Sequence, residues 1–190
     1  MTLLATIFLF VLALVLAELE VQIEGKHGWA EKLPTWRPKP NSKLSRIYAK
    51  VMSKRELTGY HIAMFSFVLL ILHAPYFMGV KWTFAGELVT LSYNFIFVVV
   101  WDFLWFVLNP YYALRKFTGV HIWWHKKWVG FLPVDYYGGF VISFIIYVIG
   151  SQYYSLTLMD WVYNVLVWLG LTLAAVVIYL LATGDKVKDL

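Results

Sequence analysis

Apolar residues in this chain gather into long runs, and the polar residues fall mostly between them. The runs cover about residues 3–23, 59–78, 87–108, 137–152 and 161–182. Crossing ~30 Å of hydrocarbon takes about 20 residues of helix. Four runs meet that length; the fourth is shorter, and either crosses with less tilt or dips into the interface. The pattern predicts an all-α integral membrane protein, a single domain built as a bundle of five transmembrane helices. Its two long connections, 24–58 and 109–136, fall on one side. Composition agrees: of 190 residues 61% are hydrophobic and 14% charged, where a soluble domain carries roughly a quarter charged.

The placement of Lys and Arg orients this bundle. Nine lie within 26–55, one at Lys81, four within 115–127, and two at Lys186 and Lys188. Five spans put every one except Lys81 on the same side, and an excess of positive charge marks the cytoplasmic side. The N-terminus is then outside and the C-terminus cytoplasmic, in a multi-pass protein of a plasma or inner membrane. The net charge of +5 is explained by topology and by contact with anionic membrane lipid, and no nucleic acid is needed as a partner. Val15 and Ala17 resemble a signal-peptide cleavage site. No positive residue precedes that apolar run, however, so the first span reads as a retained helix.

In the first connection, Pro34, Pro38 and Pro40 forbid a continuous helix. In the second, residues 118–129 read as a short helix lying on the cytoplasmic surface. It would form a Trp-rich interfacial segment, with Trp123, Trp124 and Trp128 toward lipid and Lys126 and Lys127 near phosphates. It also carries an echo: "TGVHI" from Thr118 repeats "TGYHI" from Thr58.

Ionisable side chains within a span cost about 3 kcal/mol on insertion scales, so each calls for a partner or a task. Glu18, Glu20 and Glu24 end the first span, and His61 opens the second. Asp102 interrupts "VVVWDFLWF" about 9 Å, at helical rise, from the cytoplasmic end of the third. Glu20, Glu24 and His27 share a face within about 60° if the helix continues through Gly25. Glu24 and His27 then form a Glu-x-x-His pair, the spacing of carboxylate-bridged di-metal sites. His121 and His125 form a His-x-x-x-His pair, one turn apart on a helix, as in zinc and iron sites. Glu20, Glu24, His27, His61, Asp102, His121 and His125 can all reach one cytoplasmic layer. The competing expectation for Asp102 is an intramembrane ion pair with Arg115 or Arg37. His73 belongs to the outer half and reads as a structural hydrogen-bonder.

The absence of cysteine excludes disulfides, thiolate zinc sites and iron–sulfur clusters. Neither His-Glu-x-x-His nor Gly-x-Ser-x-Gly occurs, which argues against zincin and serine-hydrolase chemistry. The reading that follows is a metal-dependent membrane enzyme acting on a lipid or other apolar substrate. Glu20, Glu24, His61, Asp102, His121 and His125 are its expected metal ligands. Asp102 and His27 are the catalytic candidates, with His27 as ligand or proton shuttle. Arg37 and Lys126 are placed to hold an anionic headgroup or substrate carboxylate. The expected metal is iron, as a di-iron centre, or zinc; oxidation, which also calls for a redox partner, stands ahead of hydrolysis. In placement the cluster resembles the histidine-rich iron sites of membrane desaturases and hydroxylases, although this chain has one His-x-x-x-His and no His-His pair. The alternative is a non-catalytic protein: a haem-bearing electron-transfer subunit held through His61 and His121 or His125, or an assembly scaffold.

Overall fold

A computed structural model describes residues 1–52, 54–153 and 157–184. Lys186 and Lys188, used above in the charge count, lie outside the described residues. Among the described residues the chain is mostly helical, with five helices long and apolar enough to cross a membrane: α1 (Leu3–Glu24), α3 (Gly59–Phe77), α4 (Phe84–Leu108), α5 (Val134–Ser151) and α6 (Leu158–Thr183). A short helix, α2 (Lys43–Val51), lies in the first connection. Four of the five long helices begin at threonine, since a hydroxyl at that position satisfies a free N–H of the first turn. Thr2, Thr58 and Thr83 accept from Ala5, His61 and Gly86, and Thr157 forms a capping box with Asp160. These caps set α4 and α6 three residues earlier than hydropathy alone suggests. Pro133 precedes α5, which likewise starts three residues early and so takes Asp135 and Tyr136 into its first turn.

α4 is the central element and packs against both α1 and α5. Its buried face runs through Tyr93, Ile96, Phe97, Val100 and Leu104, the three- and four-residue steps of one helical stripe. α1 answers with Ala13 and Ala17, both fully buried; small residues let two helices approach where lipid gives no hydrophobic drive to associate. α5 comes as close. A Cβ at Gly139 would stand 2.5 Å from Val99 Cγ2, and Ser92 Oγ on α4 donates to Ser143 O on α5 at 2.8 Å. α6 is tied on through Asn164, which receives the Thr6 hydroxyl of α1, and through Trp168, wedged edge-on between Phe10 and Phe97. The outward faces of α3 and α6, with Leu69 and Leu70, Leu166 and Leu173, remain exposed. Such extended apolar surface suits hydrocarbon and not water.

Among the described residues, both connections at the site end contain short elements of their own. α2 buries no residue; Leu44, Ile47 and Val51 are exposed on one side, with Lys43, Arg46 and Lys50 on the neighbouring one, about 100° round the helix. Residues 118–129 depart from the expected surface helix: they form turns leading into a two-stranded hairpin, β1 (Trp128–Val129) and β2 (Leu132–Pro133). The tryptophans explain the difference. Trp124 is buried and packs edge-on against Trp105 and Tyr112. Trp128 folds back to donate to His125 O at 3.0 Å and lies within 2.6 Å of where a Cβ on Gly119 would be. Aromatic packing inside the loop outweighs a one-sided row on a helix.

Candidate metal centre

Glu20 and Glu24 lie one turn apart on the buried stripe of α1. Gly25 ends that helix at φ 60°, and Asn109 Nδ2, from the end of α4, pins the turn by donating to Gly25 O at 2.7 Å. The chain then doubles back, so the Ala30 N–H donates to Glu24 Oε1 and the Trp29 ring stacks on His61 at 4.1 Å between centroids. Trp29 is held in turn by its indole N–H donating to Glu56 O at 2.8 Å and by the Arg55 guanidinium 4.4 Å over its ring. His61 occupies the first turn of α3, where the Thr58 cap also meets its Nδ1 at 2.8 Å. A proton on Nδ1, donated to that hydroxyl, would leave the Nε2 lone pair toward the carboxylates, as a metal-ligating imidazole requires.

Nε2 lies 4.0 Å from Glu24 Oε1. Glu20, Glu24 and His61, all buried, each present a ligand atom within 4.8 Å of the other two. The Tyr60 hydroxyl and the Trp101 indole N–H face Glu20 without closing a hydrogen bond. Two buried carboxylates beside one imidazole form a donor set for a divalent cation, which would neutralise charges that are otherwise costly to bury.

A second network adjoins it. Asp102 Oδ2 receives the Tyr136 hydroxyl and lies 3.0 Å from His125 Nε2. His125 Nδ1 lies 3.2 Å from Asp135 Oδ2, which also receives Arg55 Nη2 at 2.8 Å. Burial alone would lower the His125 pKa; the Asp102 charge and the two carboxylate hydrogen bonds outweigh it and raise it above its ordinary value. Both nitrogens therefore donate, and the imidazolium is clamped between two aspartates. Both networks border one cavity of about 420 Å³, walled on the apolar side by Phe65, Phe95, Val98, Val99 and Ile142.

Five of the residues expected at the site, Glu20, Glu24, His61, Asp102 and His125, line this cavity. Four do not. His27 follows the end of α1, so the Glu-x-x-His face is not formed, and its side chain turns to Glu31 at 3.7 Å. Without a helix over 118–129, His121 and His125 share no face: His121 is exposed and its ring meets the Thr118 hydroxyl at 2.9 Å. The sequence echo thus corresponds to a shared local contact, Thr Oγ1 to His Nδ1 three residues on, buried at His61 and exposed at His121. Arg37 pairs with Glu56 at 2.9 Å and with the carbonyls of Ala30, Leu33 and Thr35, fastening the loop. Lys126 is exposed, 5.5 Å from the Trp123 ring centre. Asp102 pairs with neither Arg115 nor Arg37. His73 bonds Leu69 O and Glu87, as a structural hydrogen-bonder would. Arg55, Asp135 and Tyr136 join the site without having been singled out. Arg55 sits in a run of cations, and the other two precede the fourth apolar run, where polar residues are unremarkable. Searches found no matching protein family, curated protein or solved structure.

Proposed function

We propose that the chain is a metal-dependent integral membrane enzyme acting on a lipid or other apolar substrate, with Glu20, Glu24 and His61 holding one divalent iron or zinc ion. The carrying observation is the meeting of these three buried groups, from two helices, at the polar end of an apolar cavity. The ion would polarise a substrate oxygen. The Asp102–His125 pair would hold and return a proton, with Tyr136 and Asp135 fixing its orientation. A second ion, as in a di-iron centre, would need His125, whose two nitrogens already face aspartates. That favours one ion over two. That engagement of His125, with His121 exposed and away from the cavity, disfavours a haem held through His61. Topology supports a cytoplasmic site: thirteen cations within 26–55 and 115–127 belong to the connections at the site end, against Lys81 at the other.

Elemental analysis of protein purified without chelator tests the proposal. One divalent transition metal per chain is expected, lost in Glu20→Gln and His61→Ala. A stable, metal-free wild-type protein that takes up none on addition contradicts it.

A further inference from the structure

We infer that the cavity binds an uncharged, oxygen-headed, long-chain amphiphile, its head among the ionisable groups and its chain lying along α4. The inference rests on the proposed metal reading for the seat of the head, and on independent features for the chain.

The length comes from α4. Asp102 and Asn94 both border the cavity, and eight residues of helix separate them by about 12 Å. The space therefore runs from the ionic end toward the middle of the bundle. Apart from Asn94 at its inner end, its walls over that stretch are apolar: Phe95, Val98 and Val99 from α4, Phe65 from α3, Ile142 from α5. α5 leaves room there. Gly138 borders the cavity, and a Cβ added to it would meet nothing within 4 Å. An extended hydrocarbon chain matches such a slot better than a compact polar metabolite.

Charge balance decides the head. The ionisable lining is Glu20, Glu24, Arg55, His61, Asp102, His125 and Asp135. Arg55 is matched by Asp135, and the His125 imidazolium by Asp102. Glu20 and Glu24 are matched by a divalent ion when it is bound, and leave an excess of negative charge when it is not. In neither state is a cation left over for an acidic head, and an unmatched charge in such a site is expensive. An oxygen that accepts hydrogen bonds is well served instead. Trp105 borders the cavity, is buried, and its indole N–H has no acceptor among the described residues. A long-chain alcohol, aldehyde or ester carbonyl fits this chemistry, whereas a fatty acid anion does not.

The test uses the full chain in phosphatidylcholine nanodiscs, with hexadecanol carrying a tail diazirine as the probe. Irradiation should label Phe95, Val98 or Ile142. Unlabelled hexadecanol should suppress that labelling at about tenfold lower concentration than palmitate, a difference of about 1.4 kcal/mol in binding. Gly138→Phe and, separately, Val98→Trp should abolish the slot label while metal content is unchanged. Label spread evenly over the outward residues Leu166 and Leu173, or palmitate competing as well as hexadecanol, overturns the inference. A bound metal without slot labelling also overturns it and spares the metal reading. Slot labelling in a protein that holds no metal removes the metal reading and the ion's part in seating the head, and upholds the place of the chain and the uncharged head, which the unmatched carboxylates and the Trp105 N–H still favour.

Discussion

His125 Nε2 stands 3.0 Å from Asp102 Oδ2, joining the loop after α4 to a carboxylate inside that helix. With Asp135 on the other nitrogen, the contact accounts for an acidic residue in an apolar span without requiring it to bind metal. It also makes the fold sensitive to pH. The His125 pKa is raised in the folded protein, so its stabilisation is fully present below the unfolded value, near 6.5. It is lost as pH rises through the folded value. We predict a thermal midpoint in detergent that falls as pH increases above about 6.5. His125→Gln should be about 3 kcal/mol less stable at low pH, with that decline removed. An unchanged pH profile in the variant would refute the clamp.

Thr58 serves two partners, the helix N–H of His61 and its ring Nδ1. Thr58→Val should therefore lower stability by about 1 kcal/mol through the cap and weaken metal binding by about 10- to 100-fold through the imidazole. Thr118→Val, at the exposed copy of the same motif, should change neither. Metal titration beside thermal melts reads both effects.

The seat of Trp29 depends on a close approach, since a Cβ at Gly28 would lie 2.5 Å from the Trp124 ring. A buried indole cannot yield that distance by a rotamer change of its far end. Gly28→Ala should cost about 1–3 kcal/mol and disturb the wall of the cavity, seen as altered near-ultraviolet dichroism. A wild-type melt would show that the contact relaxes freely.

Topology can be read directly because the chain has no cysteine. Single cysteines at Val120 and Lys81, both exposed, should react with an impermeant maleimide from opposite faces of the membrane, Val120→Cys from the cytoplasmic one. Labelling of both from the same face would overturn the five-span arrangement.

The five long apolar helices were legible in the sequence because hydrophobic length is a local property. The inner residues of the site were legible for a related reason: Glu20, Glu24, His61 and Asp102 are ionisable groups at or within apolar runs, where partners are obligatory. The connections were not. Whether residues 118–129 wind into a helix depends on Trp124 finding Trp105 and Tyr112, a contact no periodicity encodes. Helical spacing or charge points to His121, His27, Arg37 and Lys126, in segments that do not keep helical geometry. Arg55 and Asp135 carry no local signal, because their importance lies in a pairing across 80 residues.

The central claim is that one imidazole and two carboxylates hold a single ion. Loading the protein with Mn²⁺ as a paramagnetic probe and measuring nitrogen couplings by pulsed electron resonance tests it most directly. We predict coupling to one histidine nitrogen, lost in His61→Gln and kept in His125→Gln. Coupling that survives His61→Gln, or disappears in His125→Gln, would contradict the assignment.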